Sequence, residues 1–100
     1  MKRHTAEWVQ KAADDVAVAM SLARESKPRR DAVCFHCQQA AEKYFKALLQ
    51  EFGEDVPRIH DLKALLDLLL PHDSPLKPLR RGLPALSRFA VEYRYPGPRA

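Results

Sequence analysis

Glycine is nearly missing from this chain. There are three glycines in 100 residues, and no glycine-rich turn that would cradle a phosphate is present. The zinc-protease pattern H-E-x-x-H and the hydrolase pattern G-x-S-x-G are absent too, and no close pair of carboxylates has an evident acid–base task. These absences speak against independent nucleotide hydrolysis, and no cofactor is called for. Cysteine is scarce: Cys34 and Cys37 are the two present, and without a secretory pattern they fit a reducing compartment better than a disulfide scaffold. The opening MKRHTAEWVQKAADD mixes basic and acidic residues and lacks a signal-length apolar run. The most apolar stretch, residues 62–70, is short and broken by Lys63 and Asp67, so it cannot span a bilayer. A cytoplasmic protein without a membrane partner is expected.

Charge and helical periodicity are what the chain does have. Seventeen Lys and Arg against thirteen Asp and Glu give a formal charge of +4, which favours anionic partners. Basic residues gather at Lys27, Arg29 and Arg30, at Lys77, Arg80 and Arg81, and toward the end at Arg88, Arg94 and Arg99. From Thr5 to Glu25, Val9, Ala12, Ala13, Val16, Met20 and Ala23 recur at helical steps, with Trp8 and Leu22 beside them and Thr5 as the expected N-cap. Pro28 breaks this pattern, and Asp31 is the expected cap of a second helix that Gly53 ends. On that helix Cys34, Cys37, Ala41, Tyr44, Phe45, Leu48 and Phe52 form one stripe, expected to face the core. His36, Gln39, Lys43 and Gln50 flank it, and Gln38, Glu42 and Lys46 are expected on the outer side.

A third, leucine-rich helix runs from near Asp61 to Leu70 and stops at Pro71. The stretch PHDSPLKP reads as a connection. Pro84 opens a fourth helix reaching about Tyr93, with Leu86, Phe89, Ala90 and Tyr93 on one face. No alternating strand pattern and no repeat occurs, so residues 1–100 are expected to form a single all-α domain, an up-and-down bundle of about four helices.

Three constellations carry possible chemistry. Cys34 and Cys37 form a C-x-x-C pair, but the βαβ context of redox motifs is missing, and both sulfurs fall on the expected core stripe. A zinc site would need two more ligands, and neither His60 nor His72 has a Cys or His at ligand spacing, so no metal site is assigned. Arg30 and His36 form an R-x5-H arrangement, six positions apart, at the start of the second helix. A guanidinium and an imidazole are the groups that metal-independent RNA cleavage needs, which makes them the weak catalytic candidates. Tyr93, Arg94 and Tyr95 combine aromatic faces with a guanidinium, suited to an unpaired base and its phosphate.

The segment AVCFHCQQAAEKYFKALL, followed by His60-Asp61-Leu62 at the head of a leucine-rich helix and by Tyr93-Arg94-Tyr95-Pro96, resembles the HEPN family of small helical nucleotide-binding domains. The likeness covers nearly the whole chain, in order. It implies a helical bundle that forms a homodimer and acts beside a minimal nucleotidyltransferase, in a pairing like that of toxin and antitoxin, with a nucleotide or RNA as ligand. The ligand-binding residues it suggests, together with the polar flank, are His36, Gln39, Lys43, His60, Tyr93, Arg94 and Tyr95. Ribonuclease members of the family carry an R-x(4–6)-H motif late in the chain, whereas here no histidine follows His72. A binding subunit without activity of its own is therefore the first expectation. A metal-independent endoribonuclease toxin and a non-catalytic helical interaction module are the alternatives. Similar domains continue beyond the RYP segment into a further helix. This sequence stops at Ala100, so three alternatives stand for that helix, absent, truncated or supplied by another chain, and its absence would expose the face it covers and favour dimerisation.

Overall fold

In a computed structural model, the backbone is described for residues 1–94 and the side chains for residues 1–88. The Tyr93 and Arg94 side chains and all of Tyr95 therefore lie outside the described residues. Four α-helices, α1 (Arg3–Ala23), α2 (Arg30–Glu51), α3 (Leu62–Leu69) and α4 (Leu83–Arg94), form an all-α bundle, and a 3₁₀ helix at Ser74–Arg81 lies between α3 and α4. The 3₁₀ turns occupy most of the stretch expected to be plain connection. Pro75 near its start needs no N–H partner, which lets a proline-rich sequence take helical form there.

Helix α1 starts before Thr5, which becomes an almost fully buried interior residue rather than a cap. Asp31 likewise sits in the first turn of α2, where its carboxylate favours the positive end of the helix dipole, and does not cap it. Asp61 does cap α3, accepting from the Lys63 backbone N–H at 3.0 Å. At the end of α2, Gly53 adopts φ +82°, and the N–H groups of Gly53 and Glu54 donate back to the carbonyls of Gln50 and Leu49 at 3.1 and 3.0 Å. A residue with a Cβ resists that left-handed backbone, so glycine is required at this turn.

Helices α1 and α2 run antiparallel, tied by Lys2 to Glu51, by Trp8 to Lys46 and by Asp15 to His36 and Lys43. The buried face is rotated from the apolar stripe of the sequence, by about one residue (about 100°) on α2 and by about half as much on α1, where Ala12 belongs to both and Val9 and Val16 stay half-buried. On α1 the inner positions are Thr5, Ala12 and Ala19, with Trp8, Asp15 and Leu22 half-buried, while Met20 and Ala23 are exposed. On α2 they are Gln38, Glu42, Phe45, Lys46 and Leu49, with Ala32, Ala40 and Ala47. Gln38, Glu42 and Lys46, expected outside, are inside, whereas Cys37, Tyr44 and Phe52, expected inside, are exposed.

Two causes combine. Alanines at heptad spacing on both helices, Ala12 and Ala19 on α1 and Ala40 and Ala47 on α2, are almost fully buried, and small side chains let the helices approach on this face rather than on one bearing Val16 and Met20. Helix α2 is also central, packing against α1, α3 and α4, so it is covered around most of its circumference and takes polar residues inside with it.

The core proper lies where α2 meets α3 and the start of α4: Phe45, Leu49, Leu62, Leu65, Leu66, Leu69 and Leu83, with Val56, Ile59, Leu76 and Leu86 packed against it. Each fully buried leucine contributes about 1.5–3 kcal/mol. This cluster fixes the loop at residues 53–61 against the end of α2, and so fixes the residues that loop carries.

Candidate functional site

On α2, Glu42 and Lys46 stand one turn apart, and each side chain is only 6% exposed. The Lys46 ammonium donates to Glu42 Oε2 at 3.1 Å and lies 5.6 Å from the centroid of the Trp8 ring, so it is held by a carboxylate and a π-face together. His60 reaches in from the loop and places Nδ1 2.8 Å from the same Oε2. Its backbone carbonyl accepts from the Gln38 amide at 3.4 Å, a second tie between loop and helix. The His60 ring is otherwise 71% exposed.

These groups border an open cavity of about 680 Å³ between the N-terminal half of α1, the end of α2 and the loop. One wall is apolar, formed by Trp8, Val56 and Pro57. His4, Lys11, Lys46, Arg58 and His60 supply basic nitrogens around it. The acidic side chain among the lining residues, Glu7, is engaged by Arg3 at 3.3 Å and His4 at 3.4 Å. Those two hydrogen bonds hold its carboxyl below the ordinary value. Among the described residues, Lys11 and Arg58 have no carboxylate partner. An apolar wall facing uncommitted cations suits a ligand with one flat apolar part and one anionic part.

The residues singled out in the sequence are distributed over three places. His60 borders this cavity. His36 and Lys43 lie elsewhere along α2 and both bind Asp15 of α1, His36 through Nδ1 at 3.1 Å to Oδ1 and Lys43 through a short contact to Oδ2. Burial raises the Asp15 carboxyl, but the Lys43 and His36 hydrogen bonds outweigh it and the net direction is down. Gln39 donates to the Gln38 side chain at 2.8 Å. Arg30 is exposed at the start of α2 and borders a different, largely apolar depression with Pro28 and Cys34. Six residues of helix turn it well away from His36, and the two are not brought together.

Cys34 and Cys37 are free thiols. Partial burial, with Cys34 beside it, pushes the Cys37 thiol up, opposite to what thiol exchange needs. Among the described residues no group of three His, Cys, Asp or Glu side chains is placed to hold a metal.

Trp8, Lys11, Lys46 and Arg58 were not anticipated as neighbours of His60. The sequence holds one signal for them. The sole tryptophan lies on α1, and the Glu42–Lys46 pair sits at i,i+4 on α2, but only the helix pairing shows that they meet.

The fold and cavity define a small all-α domain with a cationic, aromatic-walled pocket. The HEPN domain family model matches residues 5–100, and the chain belongs to that family, which ties it in general terms to nucleotide- or RNA-related function. Comparison with curated proteins and with solved structures gives no match. Among the described residues no helix is long and apolar enough to cross a membrane.

Proposed function

We propose that this chain is a nucleotide-binding HEPN subunit whose ligand occupies the cavity between α1, α2 and the loop. The observation that carries the reading is the cation set facing the apolar wall: Lys11 and Arg58 uncommitted, with Lys46 held beneath them against Trp8. The base rests on the wall of Trp8, Val56 and Pro57, and the phosphate takes the cations. With His36 and Lys43 committed to Asp15, ligand contact is assigned to the His60 side of α2.

Family membership supports a minimal nucleotidyltransferase as the partner, in an arrangement of the toxin–antitoxin kind. A homodimer is supported by the apolar stripe that folding leaves at the surface: Val9, Val16 and Met20 of α1 and Cys37, Tyr44 and Leu48 of α2, half-buried or exposed.

Trp8 is the only tryptophan, so its emission reports the cavity directly. Adenine nucleotides titrated into the purified chain are expected to change that emission saturably, and the Lys11→Ala/Arg58→Ala variant, with unaltered circular dichroism, to weaken the response at least about ten-fold. A wild-type emission that ignores every nucleotide, together with a silent calorimetric titration, would overturn the reading.

A further inference from the structure

A 71% exposed imidazole gains little stability from an ion pair, since exposed pairs are worth little, whereas burying a carboxylate beneath it is costly. Glu42 is nevertheless sunk in the bundle with one oxygen on His60 and Lys46, and its other oxygen, Oε1, has no partner among the described residues. The arrangement orients His60 at the cost of a buried polar atom.

An ionised carboxylate only accepts hydrogen bonds, so the proton of the neutral imidazole sits on Nδ1, facing Glu42. Nε2, on the opposite edge of the ring, is then an acceptor, and it has no partner among the described residues. The other groups at this cavity are chiefly donors: Lys11, Lys46 and Arg58, with the Trp8 indole N–H. Glu7 is satisfied by Arg3 and His4, and the Gln50 amide presents either end to a ligand. By the same rule His4, with Nδ1 3.4 Å from the exposed Glu7 carboxylate, leaves its own Nε2 as an acceptor, but His60 is the one whose ring is held by a shorter bond to a buried carboxylate.

Its position identifies the group it would read. His60 lines the same cavity as Lys11 and Arg58, which have no carboxylate partner among the described residues, so the imidazole stands in the pocket whose free cations would take a phosphate. In a nucleotide, the hydrogen-bond donors nearest the phosphate are the sugar hydroxyls.

Resting on the nucleotide reading above, we propose that His60, with its tautomer set by Glu42, accepts a hydrogen bond from one of the two ribose hydroxyls and makes the cavity discriminate against a nucleotide that lacks that hydroxyl. His60 is the specificity-determining residue, and Glu42 is its positioning residue.

The test compares adenosine 5′-monophosphate with its 2′-deoxy and 3′-deoxy analogues, by calorimetry on the full chain, in wild type and His60→Ala. The ring is exposed, so removing it spares the core. One deoxy analogue is expected to bind wild type about ten-fold more weakly, and His60→Ala to bind all three alike. Equal wild-type affinities, or a preference that survives in His60→Ala, would overturn the ribose assignment while leaving the cavity reading intact. Binding of none of the three would remove both.

Long-range ¹H–¹⁵N spectra of the neutral ring supply the second readout. The Nδ1–H tautomer is expected in wild type, and a mixture with reduced ribose preference in Glu42→Gln. A wild-type Nε2–H tautomer would overturn the role given to Glu42.

Discussion

Glu42 Oε2 accepts from His60 Nδ1 at 2.8 Å and from Lys46 Nζ at 3.1 Å, so one buried oxygen holds both a loop histidine and a helix lysine at the mouth of the cavity. Val56 and Ile59 pack the loop against the core, and this bond sets how the His60 ring is aimed from it. The bond makes cavity shape and bundle stability parts of one arrangement.

Breaking this pair from the lysine side leaves Glu42 buried without its cation. Lys46→Met is expected to destabilise the fold by about 3 kcal/mol, and Glu42→Leu/Lys46→Met to recover much of that loss, because an apolar pair strands no charge. Urea unfolding of the three proteins measures both numbers. A Lys46→Met variant as stable as wild type would show that the pair is not sealed from water.

Asp15 gives stability a pH dependence of known sign. Its folded carboxyl titrates below the ordinary 3.8 because Lys43 and His36 outweigh the cost of burial. The contribution is therefore complete above that value and is lost as pH falls through and below it. Asp15→Asn is expected to be less stable than wild type at neutral pH, with the difference shrinking on acidification. Thermal melts from pH 7 down to 2 check this, and a difference that grows toward acid would contradict the assigned ties.

Tyr44 stands on the exposed apolar stripe with 39% of its surface open, beside a groove that Val9 and Leu48 also line. Tyr44→Glu places a charge in the proposed homodimer face. Sedimentation is expected to show a wild-type dimer and a monomeric variant of unchanged helicity. A wild-type monomer at micromolar concentration would leave this stripe without its second copy.

Cys37 is exposed and its thiol is pushed up, so it is accessible yet poorly ionised. Alkylation at pH 7 is expected to be no faster than for an unstructured cysteine peptide, and Cys37→Ala to change stability by less than about 0.5 kcal/mol. A loss of several kcal/mol would return Cys37 to the core that its helical spacing suggested.

That contrast shows where sequence reading ran out. Helix α3 was legible almost to the residue, because its leucines recur at helical steps, Asp61 caps it and Pro71 follows it. The faces of α1 and α2 were not. Hydropathy located a stripe through Val9, Val16, Cys37 and Tyr44, and the alanines at 12, 19, 40 and 47 looked neutral, although small residues are what let two helices approach. On α2 a rotation of about one residue then exchanged Gln38, Glu42 and Lys46 for Cys37 and Tyr44, while Ala41 stayed packed against the core. His60 was legible as a candidate through its HDL segment. Trp8 and Lys11 were not, since they lie about fifty residues away and share nothing with it in periodicity.

The sequence by itself determined the all-α class, the breaks between helices and the HEPN resemblance, because helical period, proline and glycine act over a few residues. Tertiary structure alone decided which polar groups went inside, since that depends on how closely two helices pack and on α2 being enclosed by three neighbours. It also decided that Trp8, Lys46 and His60 meet, because only the docking of α1 and of the 53–61 loop on the end of α2 gathers cations and an aromatic wall from three separate segments into one cavity.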